Sequence, residues 1–199
     1  ELGDGMSCDG VVSGKIYKSG GRLTEASLDA FEQRGIKPAC SIRFDGVGWH
    51  DWMRGVPGAE EAALRALRLC SQRGFYTDVE ICIHRGNVDT LPQTIEALKK
   101  SGVQNVKVGN VAMTDLWCRN CDGNAMTDQE FVEAMIPYTT WYYQAGQPIE
   151  RLVLCNVANL GRNKPYKIVA EPHDGTEKCL NCYMCGAARM SCYITPEGR

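Results

Sequence analysis

Residues 58–83 read GAEEAALRALRLCSQRGFYTDVEICI, and this stretch decides the fold class. Ala63, Ala66, Leu67 and Cys70 recur at three-and-four spacing and share one helical face, while Glu60, Arg65 and Arg68 are left for water. Gly74 stands where the helix must end in a left-handed backbone conformation, which glycine adopts without a Cβ clash. The Val- and Ile-rich segment 76–83 then reads as a strand. The same order recurs in QRGIKPACSIRF (33–44) and KKSGVQNVKVGNV (99–111), with Gly35 and Gly102 marking the helix ends. Segments 39–44, 76–83 and 104–108, joined through helices, favour parallel strands with right-handed crossovers. The expected class is α/β, in the form of a partial (β/α) barrel.

Downstream, Thr127-Asp128-Gln129-Glu130 has the pattern of a capping box, and the helix it opens is expected to run to about Tyr143. Segment 152–159 reads as one more strand. Residues 160–178 are Pro-, Gly- and charge-rich without periodicity and read as a linker. The expected division is a barrel segment over 1–160, then a linker and the start of a cysteine-rich region over 161–199. The first residues carry no initiator Met and the last form a turn entering a strand, so chain is expected beyond both ends.

The 199 residues are 44% hydrophobic and 23% charged, with a formal charge of -2, the make-up of a globular protein without a global basic field. Nucleic acid is therefore not an expected partner. No apolar run approaches the roughly 20 residues that cross a bilayer, so no membrane association and a cytoplasmic location are expected.

In parallel α/β architectures the ligand site gathers at the C-terminal ends of the strands. After segment 39–44 comes FDGVGWHDWMRGVPG (44–58), which concentrates Asp45, His50, Asp51 and Arg54 beside two Trp and four Gly after Asp45. Alone it also reads as a solvated glycine-rich loop. The stretch resembles the fourth-strand region of radical S-adenosylmethionine (SAM) peptide-modifying enzymes, written as a Ser-x-Asp-Gly strand end followed by His-Asp-x-x-Arg-Gly. The likeness continues through GAEEAALRALRLCSQRGFYTDVEICIHRGNVDTL and upstream through IYKSGGRLTEASLDAFEQRGIKP, covering residues 14–110 in order.

The resemblance implies a barrel of the radical SAM type. It also implies reductive cleavage of SAM by a [4Fe-4S] cluster to a 5′-deoxyadenosyl radical that abstracts hydrogen from a peptide or protein. Flavodoxin or ferredoxin would be the electron donor. By carry-over, Arg54 approaches the methionyl carboxylate, a sensible task for a guanidinium fork. Asp45 and Gly46 shape the strand end beneath the ribose. Arg43 stands where the family has its ribose-contacting Ser. Asn87, Val108 and Asn110 would line the adenosyl pocket, and Asn87 also reads as a helix N-terminal turn residue. His50 and His84 read either as ordinary loop residues or as contacts to substrate or cofactor. The family's Cys-x3-Cys-x2-Cys cluster motif and its Gly-Gly-Glu-Pro motif do not occur in these residues. They would precede Glu1, so this segment is not expected to perform the radical chemistry alone.

Eleven cysteines, an odd number with four crowded near the C-terminal end, suit metal-binding thiolates better than disulfides. Cys179, Cys182 and Cys185 in CLNCYMC can converge on one metal or cluster, with Cys192 as a fourth ligand. Spacing alone does not choose between Zn and Fe-S. Cys185, twelve residues and Gly198 resemble the start of the auxiliary-cluster (SPASM) domain of sulfatase-maturase-like enzymes, which implies a second [4Fe-4S] cluster. Cys118 and Cys121 in WCRNC form another Cys-x2-Cys: part of a zinc-ribbon-like site with Cys179 and Cys182, neighbours of the SAM pocket, or a reducible pair. Cys40, Cys70, Cys82 and Cys155 sit in apolar patterns and read as buried, inert thiols. Two function classes follow: a radical SAM/SPASM enzyme segment, or a noncatalytic zinc-binding α/β module.

Overall fold

The computed structural model describes residues 15–18, 23–162 and 167–168. Strands β1 (Lys15–Lys18), β2 (Ala39–Arg43), β3 (Thr77–Ile83), β4 (Asn105–Asn110) and β5 (Arg151–Leu154) are parallel neighbours in chain order. Helices α1 (Glu25–Glu32), α2 (His50–Arg54), α3 (Ala59–Gln72), α4 (Leu91–Lys100), α5 (Asp115–Asn120) and α6 (Asp128–Gln144) lie between them in sequence. The α/β class is as expected. Among the described residues the sheet has two edges, β1 and the strand Lys167–Ile168, so a closed barrel is not formed by them.

The helix ends follow the sequence signals. Gly35, Gly74 and Gly102 take φ of +67°, +71° and +77°, the left-handed region that favours glycine. Thr127 and Glu130 form the capping box: the Glu130 amide donates to Thr127 Oγ1 at 3.2 Å and the Thr127 amide donates to Glu130 Oε2 at 2.7 Å. The α3 face of Ala63, Ala66, Leu67 and Cys70 is buried, against Ile42, Val79, Ile81 and the rest of one core.

Two expectations fail beyond β5. Segment 152–159 is not one strand: the chain turns at Asn156, with φ +60°, and returns as β6 (Ala158–Gly161), antiparallel to β5. The Val157 amide donates to the Leu154 carbonyl at 3.0 Å and closes the turn. Asn156 was the signal for this turn, since asparagine tolerates a left-handed backbone, but it stands singly between Cys155 and Val157. The start of the expected linker is likewise regular, because β6 extends to Gly161 and pairs with β7 (Lys167–Ile168).

Parallel sheets are usually buried on both faces. Here the face opposite the core is polar. Ser41 Oγ donates to Asp78 Oδ1 at 3.0 Å, Asn105 Nδ2 donates to Asp78 Oδ2, and Arg43 pairs with Glu80 at 3.4 Å. The register explains the rows, since Ser41, Asp78 and Asn105 are partners across three strands, as are Arg43, Glu80 and Lys107. Period-two alternation places these side chains on one face.

Candidate functional site

Asp45 lies two residues beyond the end of β2, and its carboxylate is fully buried. Its Oδ1 accepts from the Cys82 amide at 3.2 Å, and Arg54 reaches Oδ2 at 2.5 Å. His50 Nδ1 lies 3.0 Å from the Asp45 amide nitrogen and 3.2 Å from Oδ2. An unprotonated Nδ1 accepts from that amide, whereas a protonated one donates to the carboxylate. Burial would raise the Asp45 pKa, but the bonds from His50, the Arg54 charge and the Cys82 amide together hold it below the usual carboxylate range. Asp45 is therefore an anion at neutral pH, and it anchors a guanidinium that remains one-third exposed.

The strand ends are tied by Asn87. Its Nδ2 donates to the Asp45 carbonyl at 2.7 Å and the Cys82 carbonyl at 2.9 Å, and its Oδ1 accepts from the His84 amide at 2.8 Å. A side chain 1% exposed is thus satisfied by main chain alone. Gly46 lies below it at φ +113°, a backbone conformation that favours glycine, with Thr90, Thr94 and Asn87 as its neighbours. Asp51, in α2, accepts from the Gly58 and Glu60 amides at 2.7 Å each at the start of α3. Those amides, Glu60 first, lower its pKa.

Asp45, Gly46, Arg54 and Asn87, singled out in the sequence, therefore meet at one strand end. Arg43 lies apart on the polar sheet face, beside Glu80 and with Nη1 3.8 Å from Cys82 Sγ. Val108 is fully buried in the core. Asn110 closes β4, donating to the Met126 carbonyl at 3.1 Å and Asp128 Oδ1 at 3.0 Å.

A ring cluster next to these residues was not singled out as a unit. His84, just after β3, is fully buried, with Trp49, Trp52 and Trp117 at centroid distances of 5.1, 5.2 and 5.8 Å. The Gly86 amide donates to His84 Nδ1 at 3.1 Å, so in the neutral ring the proton resides on Nε2. Burial lowers the His84 pKa, against the opposing influence of Asp45 and the nearby Asn124 side chain. The indoles of WHDW and WCRNC, each placed after a strand, were the available sequence signal.

Among the cysteines, Cys40 and Cys70 are buried as expected, while Cys82 and Cys155 are half-buried, with thiol pKa values raised first by burial. Cys118 is exposed and Cys121 buried, and Cys121 Sγ donates to the Cys118 carbonyl at 3.7 Å. Among the described residues no group of three or more His, Cys, Asp or Glu is placed to hold a metal ion. The expected ligands Cys179, Cys182, Cys185 and Cys192 lie outside the described residues. No helix of the described residues is long and apolar enough to cross a membrane.

No protein-family profile matches the chain. The chain is similar to a PqqA peptide cyclase of Granulibacter bethesdensis, with 31% identity over 98 residues. The match covers 48% of this chain and 26% of that protein, so the chain spans about a quarter of the length of the curated relative it matches.

Proposed function

We propose that the chain is part of a radical SAM enzyme that modifies a peptide, and that it supplies one wall of the SAM site. The similarity to a PqqA peptide cyclase carries this reading, together with the order of the Asp-Gly and His-Asp-x-x-Arg-Gly residues.

Arg54 suits a carboxylate of SAM. Its Nη2 is held by the buried Asp45, which fixes the fork, and one-third of the side chain remains accessible to a second anion. Asp45 thus acts as a positioning residue, and Asn87 holds the two strand ends on which the guanidinium depends. When bound together, a [4Fe-4S] cluster and SAM supply reductive cleavage and hydrogen abstraction. The catalytic cluster would be held by other chain of the parent enzyme, and this segment alone would be inactive. Cys179, Cys182, Cys185 and Cys192 would begin an auxiliary [4Fe-4S] site, and flavodoxin or ferredoxin would deliver electrons.

In the enzyme extended at both ends, Arg54→Ala should weaken SAM binding by about 1.5–3 kcal/mol, the worth of a hydrogen bond to a charged group. Affinity for decarboxylated SAM should stay unchanged. An equal loss for both ligands would mean that the variant acts by stranding Asp45, and unchanged SAM affinity would remove Arg54 from the site. Anaerobic reconstitution with iron and sulfide tests the metal. Stoichiometric zinc without a cluster would replace this reading by a noncatalytic zinc-binding α/β module.

A further inference from the structure

Three strand ends contribute to one aromatic box. Trp49 and Trp52 come from the turn and short helix after β2, His84 follows β3, and Trp117 comes from α5 after β4. Two ring N–H groups in the box have no hydrogen-bond partner among the described residues, His84 Nε2 and Trp117 Nε1, and both atoms are buried. Their rings are 5.8 Å apart between centroids. An interaction with the Asn124 side chain raises the His84 pKa against burial, but it lacks the distance and angle of a hydrogen bond at Nε2. A third orphan is an acceptor: Asn110 Oδ1 is buried and unpartnered, and Asn110 pairs in register with Ile83, the residue before His84.

Buried donors without acceptors are rare in folded proteins. Two on neighbouring rings, with an orphan acceptor at the adjoining strand end, complement a group that offers one acceptor and one donor. A peptide amide does so. Charge favours the same choice, because burial keeps His84 neutral and the Asp45 carboxylate acts on the ring, so an anion is disfavoured. The chain just before Trp117 is apolar and exposed, with Met113 at 58% and Leu116 at 69%, and Trp52 is 38% exposed. Trp49 is fixed against Gly86, where a Cβ would come within 2.4 Å of the indole. Trp52, on a five-residue helix ended by Gly55 at φ +63°, is the most exposed of the three indoles.

We propose that this box is a substrate subsite that takes one backbone amide of an extended peptide, with His84 Nε2–H and Trp117 Nε1–H donating to its carbonyl and Asn110 Oδ1 accepting its N–H. An apolar side chain of the same peptide rests on Met113 and Leu116. The assignment rests on the peptide-modifying reading for the class of its ligand, and its amide titration is read without SAM or iron.

The 199-residue chain, labelled with ¹⁵N at the indoles, is titrated with N-acetylleucine N-methylamide. Trp117→Phe assigns its indole resonance, and Trp141, whose ring contact is with Tyr138 instead, supplies the internal control. The Trp117 N–H signal should move downfield and saturate while that of Trp141 stays. His84→Phe should weaken the apparent affinity about fivefold or more, and His84→Gln, which retains a side-chain N–H, should restore most of it. A fold check by circular dichroism accompanies each variant. No saturable shift would overturn the site and leave the orphan donors to ordered water. A shift with adenosine or sodium acetate in place of the amide would also overturn it. Amide binding without SAM binding in the extended enzyme would keep the subsite and sink the radical SAM reading; SAM binding without an amide shift would do the reverse.

Discussion

Asp45→Asn tests the centre of the site most directly. Asparagine keeps the shape and an acceptor for the Cys82 amide, but it removes the charge facing Arg54 and sets an amide donor against donors. A hydrogen bond to a charged group contributes about 1.5–3 kcal/mol. Arg54 is one-third exposed and can regain water, which discounts the ion pair. The expected loss is therefore about 2 kcal/mol, or about 4–8 °C in Tm for a chain of this size. Urea unfolding at pH 7 and at pH 3 measures it. The folded pKa of Asp45 lies below its unfolded value, so its stabilisation is complete above about pH 4 and fades as pH falls through the folded pKa. Wild type and variant should accordingly differ at pH 7 and converge under acid. A difference under about 0.5 kcal/mol at pH 7, or one equally large at both pH values, would refute the account of Asp45 as a charged anchor.

Other sites give independent checks. Gly102→Ala places a Cβ 1.9 Å from Ser71 Oγ at φ +77°, so it should destabilise by about 3 kcal/mol in denaturant titration; adding Ser71→Gly should recover the contact but not the backbone strain. Thr127→Ala should cost about 1 kcal/mol through the lost cap of α6. Glu130, whose pKa is lowered to about 2 by the Thr127 amide, Arg85 and the Thr127 hydroxyl, contributes stability above its ordinary pKa that is lost as pH falls toward 2. Glu130→Gln should flatten that acid limb in a thermal-melt series, and an unchanged limb would remove Glu130 as its source. Gly86→Ala should displace Trp49 from His84, visible as a changed near-ultraviolet circular dichroism signal with far-ultraviolet ellipticity retained.

Local rules made β2, β3, β4 and the helices that end at Gly35, Gly74 and Gly102 legible. Helix C-caps need a left-handed residue, and glycines at 35, 74 and 102 supplied it. Helical and strand periods sorted Ala63, Ala66, Leu67 and Cys70 onto one buried face, and a capping box announced α6. The hairpin after β5 escaped because its turn is marked by a single Asn156 within an otherwise mainly apolar stretch, with no Gly or Pro beside it.

At the site, sequence assigned Asp45, Gly46, Arg54 and Asn87 to the chain after two strands, where parallel α/β folds collect ligand residues. It did not determine that Asp45 would be the buried partner of Arg54, nor that Asn87 would satisfy main chain rather than face outward. Those outcomes depend on contacts between residues nine to 42 positions apart, which no local spacing encodes. The ring box is the same case at longer range. Four aromatic residues in three separate loops meet only after parallel pairing brings their strand ends together, and only then do the His84 and Trp117 N–H groups lose access to water.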